Sequence, residues 1–218
     1  MVEGELLDLS VNLAEPSRVL EGSPHVRMGS TLTMKFDANG YLDAGLHPTT
    51  LADIRTHFVD PFPAPSTRPT VYAGYERHTA ELQKSSVEFE QFLDGSFVSN
   101  KQDPGDIDLL GMADLHAIDA LPAAEKQRLH DLFLGPACKQ TYECDAYFLP
   151  SVPDTDPAYP HFRRQRKYWM GEFGFDRMDR PKGILTIKVS PTAGALSTAG
   201  SAGTAAASPL SAIQSASP

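Results

Sequence analysis

Apolar positions between residues 34 and 189 follow two different periods. Spacings of three and four residues predict helices, and short apolar runs with alternation predict strands. The predicted helices run from Thr49 or Thr50 to Phe58, Val71 to Lys84, Pro122 to Leu134 and Tyr159 to Phe173; the predicted strands run from Phe89 to Asp94, Asp106 to Leu110, Tyr142 to Leu149 and Ile184 to Val189. Interleaved helices and strands predict a small mixed sheet with flanking helices, in the α/β or α+β class.

Both ends of the chain lack this patterning. Residues 1–33 are broken by prolines and glycines, which predicts an irregular extension. Residues 190–218 carry no charged side chain and consist mostly of Ala, Ser, Gly, Thr and Pro, which predicts a disordered tail. We therefore divide the chain into an extension (1–33), one domain (34–189) and a tail (190–218).

Composition narrows the function classes. The 218 residues include 41% apolar and 22% charged side chains, which is typical of a globular protein with one domain. The net charge of −9 argues against bulk DNA binding. The N-terminus resembles no secretory signal and no apolar run could span a bilayer, so a cytoplasmic protein without a membrane partner is expected.

One helix concentrates basic residues in this acidic chain. The run HFRRQRKYW places Arg163, Arg166 and Lys167 along the predicted helix, with Phe162 and Trp169 on its apolar side. A solvated helix face is the default interpretation. The alternative is a contact with phosphate or with an RNA acceptor.

Two aspartates stand where a buried strand gains nothing from carboxylates. Asp106 and Asp108 lie two residues apart in DIDLL, so both point to one face while Ile107 and Leu109 point to the other. Like charges on one face repel each other unless a cation lies between them. An exposed face of an edge strand is the competing interpretation, and a divalent metal such as Mg²⁺ or Mn²⁺ is the interpretation that we favour.

A third carboxylate is expected from the strand YECDAYFLP. Cys144, Ala146 and Phe148 form its apolar face, which predicts Glu143, Asp145 and Tyr147 on the other. Asp145 is the more central acid and is our candidate, with Glu143 as the alternative. Three carboxylates could hold two metal ions, an arrangement that serves phosphoryl displacement.

Gly95 and Ser96 end the strand that precedes the aspartate pair. A glycine there would let a phosphate approach the backbone, and the serine offers an N–H and a hydroxyl donor. Ser99 and Lys101 follow in the same loop and could reach the outer phosphates of a nucleotide. Taken singly, a turn after a strand is the better explanation of Gly95-Ser96, and an ordinary loop position is the better explanation of Lys101.

The stretch LDGSFVSNKQDPGDIDLL resembles the signature of the nucleotidyltransferase superfamily that includes DNA polymerase beta. In that signature an apolar residue, Gly and Gly or Ser precede an Asp-apolar-Asp strand; here Asp94 intervenes between Leu93 and Gly95. From Phe36 to Val189 the chain also resembles a small uncharacterised family of bacteria and phages with a nucleotidyltransferase-like core. The additional stretches that carry this likeness are FDANGYLDAGLHPTTLADI, YECDAYFLP and RPKGILTI.

The resemblance implies a minimal nucleotidyltransferase fold and a role for each matching residue. Gly95 and Ser96 would bind nucleotide phosphates, Asp106 and Asp108 would bind metal, and Asp145 would be the third metal ligand or the general base. The implied reaction transfers a nucleoside monophosphate from an NTP to an unidentified hydroxyl of RNA, protein or a small molecule. Two alternatives stay open: a catalytically silent nucleotide-binding or partner-binding module, and a component of a toxin–antitoxin or phage-related system.

Overall fold

The structure is a computed structural model that describes residues 34–195. Most of the predicted extension and tail lies outside the described residues, so the division of the chain stays a prediction. Residues 190–195 are described, and Thr192 donates a backbone hydrogen bond of 2.9 Å to the carbonyl of Gln83. Within the described residues, no helix is both long and apolar enough to cross a membrane.

The predicted fold class is confirmed by a mixed five-stranded sheet with flanking helices. In chain order the elements are β1 (Gly45–Pro48), α1 (Leu51–Phe58), α2 (Arg68–Leu82), β2 (Phe89–Asp94), β3 (Ile107–Asp114), α3 (Leu115–Asp119), α4 (Ala123–His130), α5 (Lys139–Tyr142), β4 (Cys144–Ser151), α6 (Tyr159–Gly174) and β5 (Gly183–Val189). Short 3₁₀ turns occupy Ser96–Val98 and Pro136–Cys138.

The sheet has the strand order β1-β5-β2-β3-β4. The central strands β2 and β3 are antiparallel to each other, β2 and β5 are also antiparallel, and the outer pairs β1/β5 and β3/β4 are parallel. The chain therefore forms the β2–β3 pair locally, adds β4 in parallel beside β3, and finally inserts β5 between β1 and β2.

Helices cover both faces of the sheet because the four longer strands, β2 to β5, have apolar side chains on both sides. On one face, Leu93, Leu109 and Ala146 join a core that includes Ile54 and Phe58 of α1 and several residues of α2. The opposite face carries a smaller core with α6 packed on it, formed by Phe92, Leu110, Met112, Leu149, Phe173 and Ile184. Partial burial of Phe162 and Trp169 against this smaller core confirms the predicted apolar side of α6.

Thr50 fixes the start of α1, as the sequence predicted. Its hydroxyl accepts a 3.1 Å hydrogen bond from the N–H of Asp53, and the Asp53 carboxylate accepts one from the N–H of Thr50. This reciprocal pair satisfies two N–H groups that the first helical turn leaves without intrahelical partners.

One strand lies outside the predicted set, and one predicted strand begins at the wrong residue. No strand is predicted near residue 45, but β1 lies there; it has only four residues and pairs with β5 alone among the described strands. The third predicted strand begins too early, because Tyr142 ends α5 and Glu143 has a left-handed backbone with φ of 52°. Glu143 therefore lies outside β4 and is not the third carboxylate of the strand face.

Candidate active site

Carboxylates from three neighbouring strands stand side by side at one end of the sheet. Asp94 of β2 is the cross-strand partner of Asp108 of β3, and Asp108 is the partner of Asp145 of β4. Neighbouring strands are about 4.8 Å apart, and direct partners project from the same face. Asp106 immediately precedes β3, two residues from Asp108, so the sheet brings all three predicted acids together and adds a fourth.

Lys182 neutralises the added acid. Its ammonium lies 2.7 and 2.5 Å from the two carboxylate oxygens of Asp94, and both side chains are buried. Burial raises the pKa of Asp94 to about 6, against the opposing effect of Lys182, so the carboxylate is ionised at neutral pH. Lys182 contacts both carboxylate oxygens of Asp94. Of the four acids in this row, Asp106, Asp108 and Asp145 are therefore the ones that a ligand in the cavity could contact.

Lys139 bridges two of these three carboxylates. Its Nζ lies 2.6 Å from Asp106 Oδ2 and 3.3 Å from Asp145 Oδ2. The hydrogen bond with Asp106 raises the pKa of Lys139 above its usual range, so the ammonium keeps its charge. Lys139 is the first residue of α5, and it is half-exposed beside the cavity described below.

The other carboxylate atoms of Asp108 and Asp145 lack hydrogen-bond partners in the described part of the chain. Asp145 Oδ1 is buried without a hydrogen-bond partner among the described residues, and the Asp108 carboxylate makes no hydrogen bond within that part of the chain either. Burial, followed by the charges of Asp106 and Asp145, raises the pKa of Asp108. Unpaired buried carboxylate oxygens are costly, and oxygen ligands of this kind suit Mg²⁺ or Mn²⁺.

The three acids are not arranged as a ready-made metal centre. Within residues 34–195, no three His, Cys, Asp or Glu side chains have the mutual positions needed to hold an ion as they stand. The ammonium of Lys139 lies 2.6 Å from Asp106 and 3.3 Å from Asp145, so it contacts oxygens that an ion at this place would also need. Carboxylate oxygens are the donors that a hard cation prefers.

Gly95 is the point where the backbone comes closest to the acid row. Its φ is +82°, and a Cβ placed on it would clash with Oδ2 of Asp108. Glycine is therefore required here for two separate reasons, the left-handed backbone and the space that Asp108 fills.

We expect Gly95→Ala to move the Asp108 carboxylate and to strain the backbone. A strained residue of this kind costs about 1–3 kcal/mol, which should lower the melting temperature by about 3–10 °C. Differential scanning fluorimetry measures this shift, with Gly105→Ala as a control because a Cβ at Gly105 meets nothing within 4 Å. Equal melting temperatures for the two variants would contradict the close approach of Gly95 to Asp108.

The predicted phosphate loop lies beside the acids. Its side chains differ in whether their polar groups are already hydrogen-bonded within the protein. The Ser99 hydroxyl donates a 2.7 Å hydrogen bond to the carbonyl of Ser96 and accepts one of 3.2 Å from the N–H of Lys101, so it stabilises the loop. The hydroxyl of Ser96 and the ammonium of Lys101 have no partner among the described residues. All four candidates, Gly95, Ser96, Ser99 and Lys101, line the cavity.

Arg68 fixes this loop from beneath. The side chain is fully buried, and its guanidinium stacks over Phe62, 3.6 Å from the ring centroid. Its nitrogens donate to the carbonyls of Phe58 (2.7 Å), Phe97 (2.9 Å), Ser99 (2.6 Å) and Lys101 (2.6 and 3.0 Å). Burial lowers the pKa of Arg68 to about 10, which leaves it charged at neutral pH. One cation thereby ties the end of α1 to the loop from Phe97 to Lys101.

A cavity of about 1080 Å³ opens in front of the acids. Its volume is in the range of pockets that hold large ligands. The acids and the phosphate loop line it together with Tyr147 of β4, α6 and the segment after α6. This last part contributes the aromatic or apolar side chains Tyr168, Trp169, Phe173, Phe175 and Met178 and the charged side chains Glu172, Asp176, Arg177 and Arg180. The cavity therefore combines carboxylates and phosphate-loop residues with a cluster of aromatic rings that charged side chains accompany.

Sequence reasoning missed three cationic residues of the site. Lys182 belongs to the stretch RPKGILTI, but its pairing with Asp94 depends on the neighbouring positions of β2 and β5. Lys139 lies between two predicted elements, where no periodic pattern marks it, and Arg68 immediately precedes a proline in a loop-like segment. A fully buried arginine cannot be distinguished from a surface arginine by local sequence.

Comparison with known proteins places the chain in one family. The model of a family of unknown function (DUF6932) matches residues 34–188, which is most of the chain. The chain belongs to this family. The match to DUF6932 contains all four carboxylates and all three cations described above, and the expected membership of a family without known activity is confirmed. No curated protein and no solved structure matches the chain.

Proposed function

We propose that this member of DUF6932 is a metal-dependent nucleotidyltransferase. The observation that carries the proposal is the convergence of Asp106, Asp108 and Asp145 from adjacent strands, beside a glycine packed against Asp108. The resemblance of the Gly-Ser and Asp-Ile-Asp stretches to the nucleotidyltransferase superfamily supports the same assignment. Membership of DUF6932 is a finding, whereas the nucleotidyltransferase core and its chemistry are our proposal.

The loop residues bind the triphosphate in this proposal. The missing side chain of Gly95 lets a phosphate approach the backbone, Ser96 donates its hydroxyl, and the ammonium of Lys101 neutralises outer phosphate charge. Arg68 acts as a positioning residue. It holds the carbonyls of the loop and does not itself line the cavity.

The transfer joins an acceptor hydroxyl to the α-phosphorus of the NTP. The acceptor oxygen forms the new P–O bond, the bond between the α-phosphorus and the bridging oxygen to the β-phosphate breaks, and pyrophosphate leaves with that oxygen. The acceptor proton goes to a carboxylate, for which Asp145 is our candidate because its Oδ1 has no partner among the described residues. Catalysis comes mainly from positioning and from charge neutralisation.

The metal ligands in this proposal would be Asp106, Asp108 and Asp145. A bound Mg²⁺ or Mn²⁺ ion would neutralise the negative charge that develops on the phosphates during transfer. Among the described residues, these three carboxylates contact one ammonium, that of Lys139, so this group of four side chains carries net negative charge. The positive charge of Lys139 also repels a cation that approaches Asp106 and Asp145. In this proposal Lys139 competes with the metal ion for the same carboxylate oxygens, because its ammonium lies 2.6 Å from Asp106 and 3.3 Å from Asp145.

Removal of this competitor is expected to strengthen cation binding. Lys139→Met should raise the affinity for Mn²⁺, measured by calorimetry on the full chain, by about tenfold or more, because a charge pair at this distance shifts binding by more than 1 kcal/mol. Mn²⁺ should also raise the melting temperature of this variant more than that of the wild type.

The matched control is Lys84→Met, which removes a lysine paired with Glu81 at the same distance of 2.6 Å but outside the cavity. This control should bind Mn²⁺ as the wild type does. Unchanged or weaker Mn²⁺ binding by Lys139→Met would contradict the assignment of Lys139 as a competitor.

Transfer of label distinguishes the enzyme from a silent nucleotide-binding module. The full chain is incubated with each α-labelled NTP, Mg²⁺ or Mn²⁺, and a cell extract, and the RNA, protein and small-molecule fractions are counted. The proposal predicts label in one fraction. Metal-dependent NTP binding by calorimetry without label in any fraction would instead support the silent module.

A further inference from the structure

The solvent face of α6 carries a strip of cations without carboxylate partners in the part of the chain that the structure describes. Arg163, Arg164, Arg166 and Lys167 lie within five residues, and no acidic residue occurs in α6 before Glu172. None of the four forms an ion pair with a described residue. In a chain with net charge −9, this strip is a local site for an anion.

The strip continues into an exposed aromatic wall. Among the described residues, five large apolar side chains are exposed, and three of them line this one cavity: Tyr168 (38%), Phe175 (48%) and Met178 (74%). Arg177 stands between the last two on the same wall. Single exposed apolar side chains scattered over a surface are normal. Three of them in one polar cleft indicate a binding surface.

Helical spacing joins the two features. Arg164 lies four residues before Tyr168, so both side chains are on the same face of α6 in consecutive turns. Tyr168 lines the cavity that also contains Asp106, Asp108 and Asp145. Tyr168 therefore connects the strip of cations on α6 with the cavity that contains the carboxylates.

This combination identifies the chemistry of the ligand. Cations that track a phosphate backbone, next to rings that stack on unpaired bases, are the features of single-strand binding surfaces. A duplex offers no free base faces to the wall. Membrane docking as an amphipathic helix is disfavoured because the apolar side of α6 already packs on the sheet through Phe173 and Trp169.

We propose that single-stranded nucleic acid binds along α6 and enters the cavity. Its phosphates contact Arg163, Arg164 and Lys167, and bases near its end stack on Tyr168, Phe175 and Met178. This inference rests on the proposed transferase activity in one respect, because it names the strand's terminal hydroxyl as the acceptor. Binding of the strand itself requires no chemistry and can be measured alone.

The proposal is tested by fluorescence anisotropy with the full chain. The probes are labelled oligonucleotides of about 15 nucleotides, as single-stranded RNA, single-stranded DNA and duplex. Single-stranded RNA, single-stranded DNA or both should bind more tightly than the duplex. The triple variant R163Q/R164Q/K167Q should weaken single-strand binding by about tenfold or more and reduce the salt slope by about 2. Tyr168→Ser should weaken single-strand binding without changing the salt slope.

The charge-matched control is K35Q/R55Q/K84Q, which removes three exposed cations outside the cavity and should bind as the wild type does. Absence of binding overturns the proposal, as does duplex or heparin binding that equals single-strand binding. Equal losses in the two triple variants also overturn it. Single-strand binding by a chain that transfers no label would refute the proposed transferase while leaving this surface in place.

Discussion

Asp108→Asn is expected to lower label transfer by about a thousandfold or more while the protein stays folded. The loss follows because the variant removes a central charge from the metal-binding set, which is worth several kcal/mol in a phosphoryl-transfer transition state. Burial and two neighbouring acids raise the pKa of Asp108, so its ionisation at neutral pH costs folding free energy. The neutral variant should therefore melt at the wild-type temperature or above it, as read by scanning calorimetry.

A matched control exists on the same strand. Asp114 ends β3 at its opposite end and caps α3 by accepting a 2.9 Å hydrogen bond from the N–H of Ala117. Asparagine also caps helices, so Asp114→Asn should change neither transfer nor melting temperature appreciably. Full transfer activity in Asp108→Asn would contradict its role as a metal ligand, and collapse of the fold of this variant would assign Asp108 a structural role instead.

Arg68→Met is expected to cause the largest loss of stability. The variant leaves the carbonyls of Phe97, Ser99 and Lys101 without the guanidinium that now pairs them inside the fold. Each buried unpaired carbonyl costs about 1–3 kcal/mol, so we expect a loss of about 3–5 kcal/mol in the free energy of unfolding. This corresponds to a melting temperature lower by about 10 °C, and urea unfolding measures the free energy itself.

Arg77→Met separates this effect from the general cost of losing an arginine in α2. Arg77 is exposed and donates a single 2.9 Å hydrogen bond to the carbonyl of Thr141, so its loss should cost about 1 kcal/mol. Arg68→Lys should not restore stability, because an ammonium cannot make the divergent planar contacts of the guanidinium. Similar unfolding free energies for Arg68→Met and Arg77→Met would contradict the role of Arg68 as the anchor of the loop.

Local patterning was sufficient to predict the part of the site that lies on strands. Asp108 and Asp145 alternate with Leu109 and Ala146, whose burial on the opposite face follows from the period of two. Placement of both aspartates on one face therefore needed no tertiary information. Their direct pairing across β3 and β4 confirms the expected neighbourhood, and their role as metal ligands stays a prediction.

Long-range pairing explains what the sequence could not predict. Lys182 meets Asp94 across 88 positions of the chain, and Arg68 meets the loop carbonyls from about 30 residues away. The strand β1 has four residues with no clear alternation and depends on β5 for all its pairing among the described strands. Glu143 was misplaced for a different reason, because the short helix α5 uses it as a left-handed cap.

Parallel reactions with α-labelled and γ-labelled NTP test the central claim most directly. The wild-type chain, Mg²⁺ or Mn²⁺ and a cell extract are used in both, with Asp108→Asn as the inactive reference. The account predicts that the α label enters an acceptor fraction while the γ label leaves only in pyrophosphate, and that Asp108→Asn transfers neither. Label from the γ position in the acceptor, or no transfer of α label by folded wild-type protein, would contradict it.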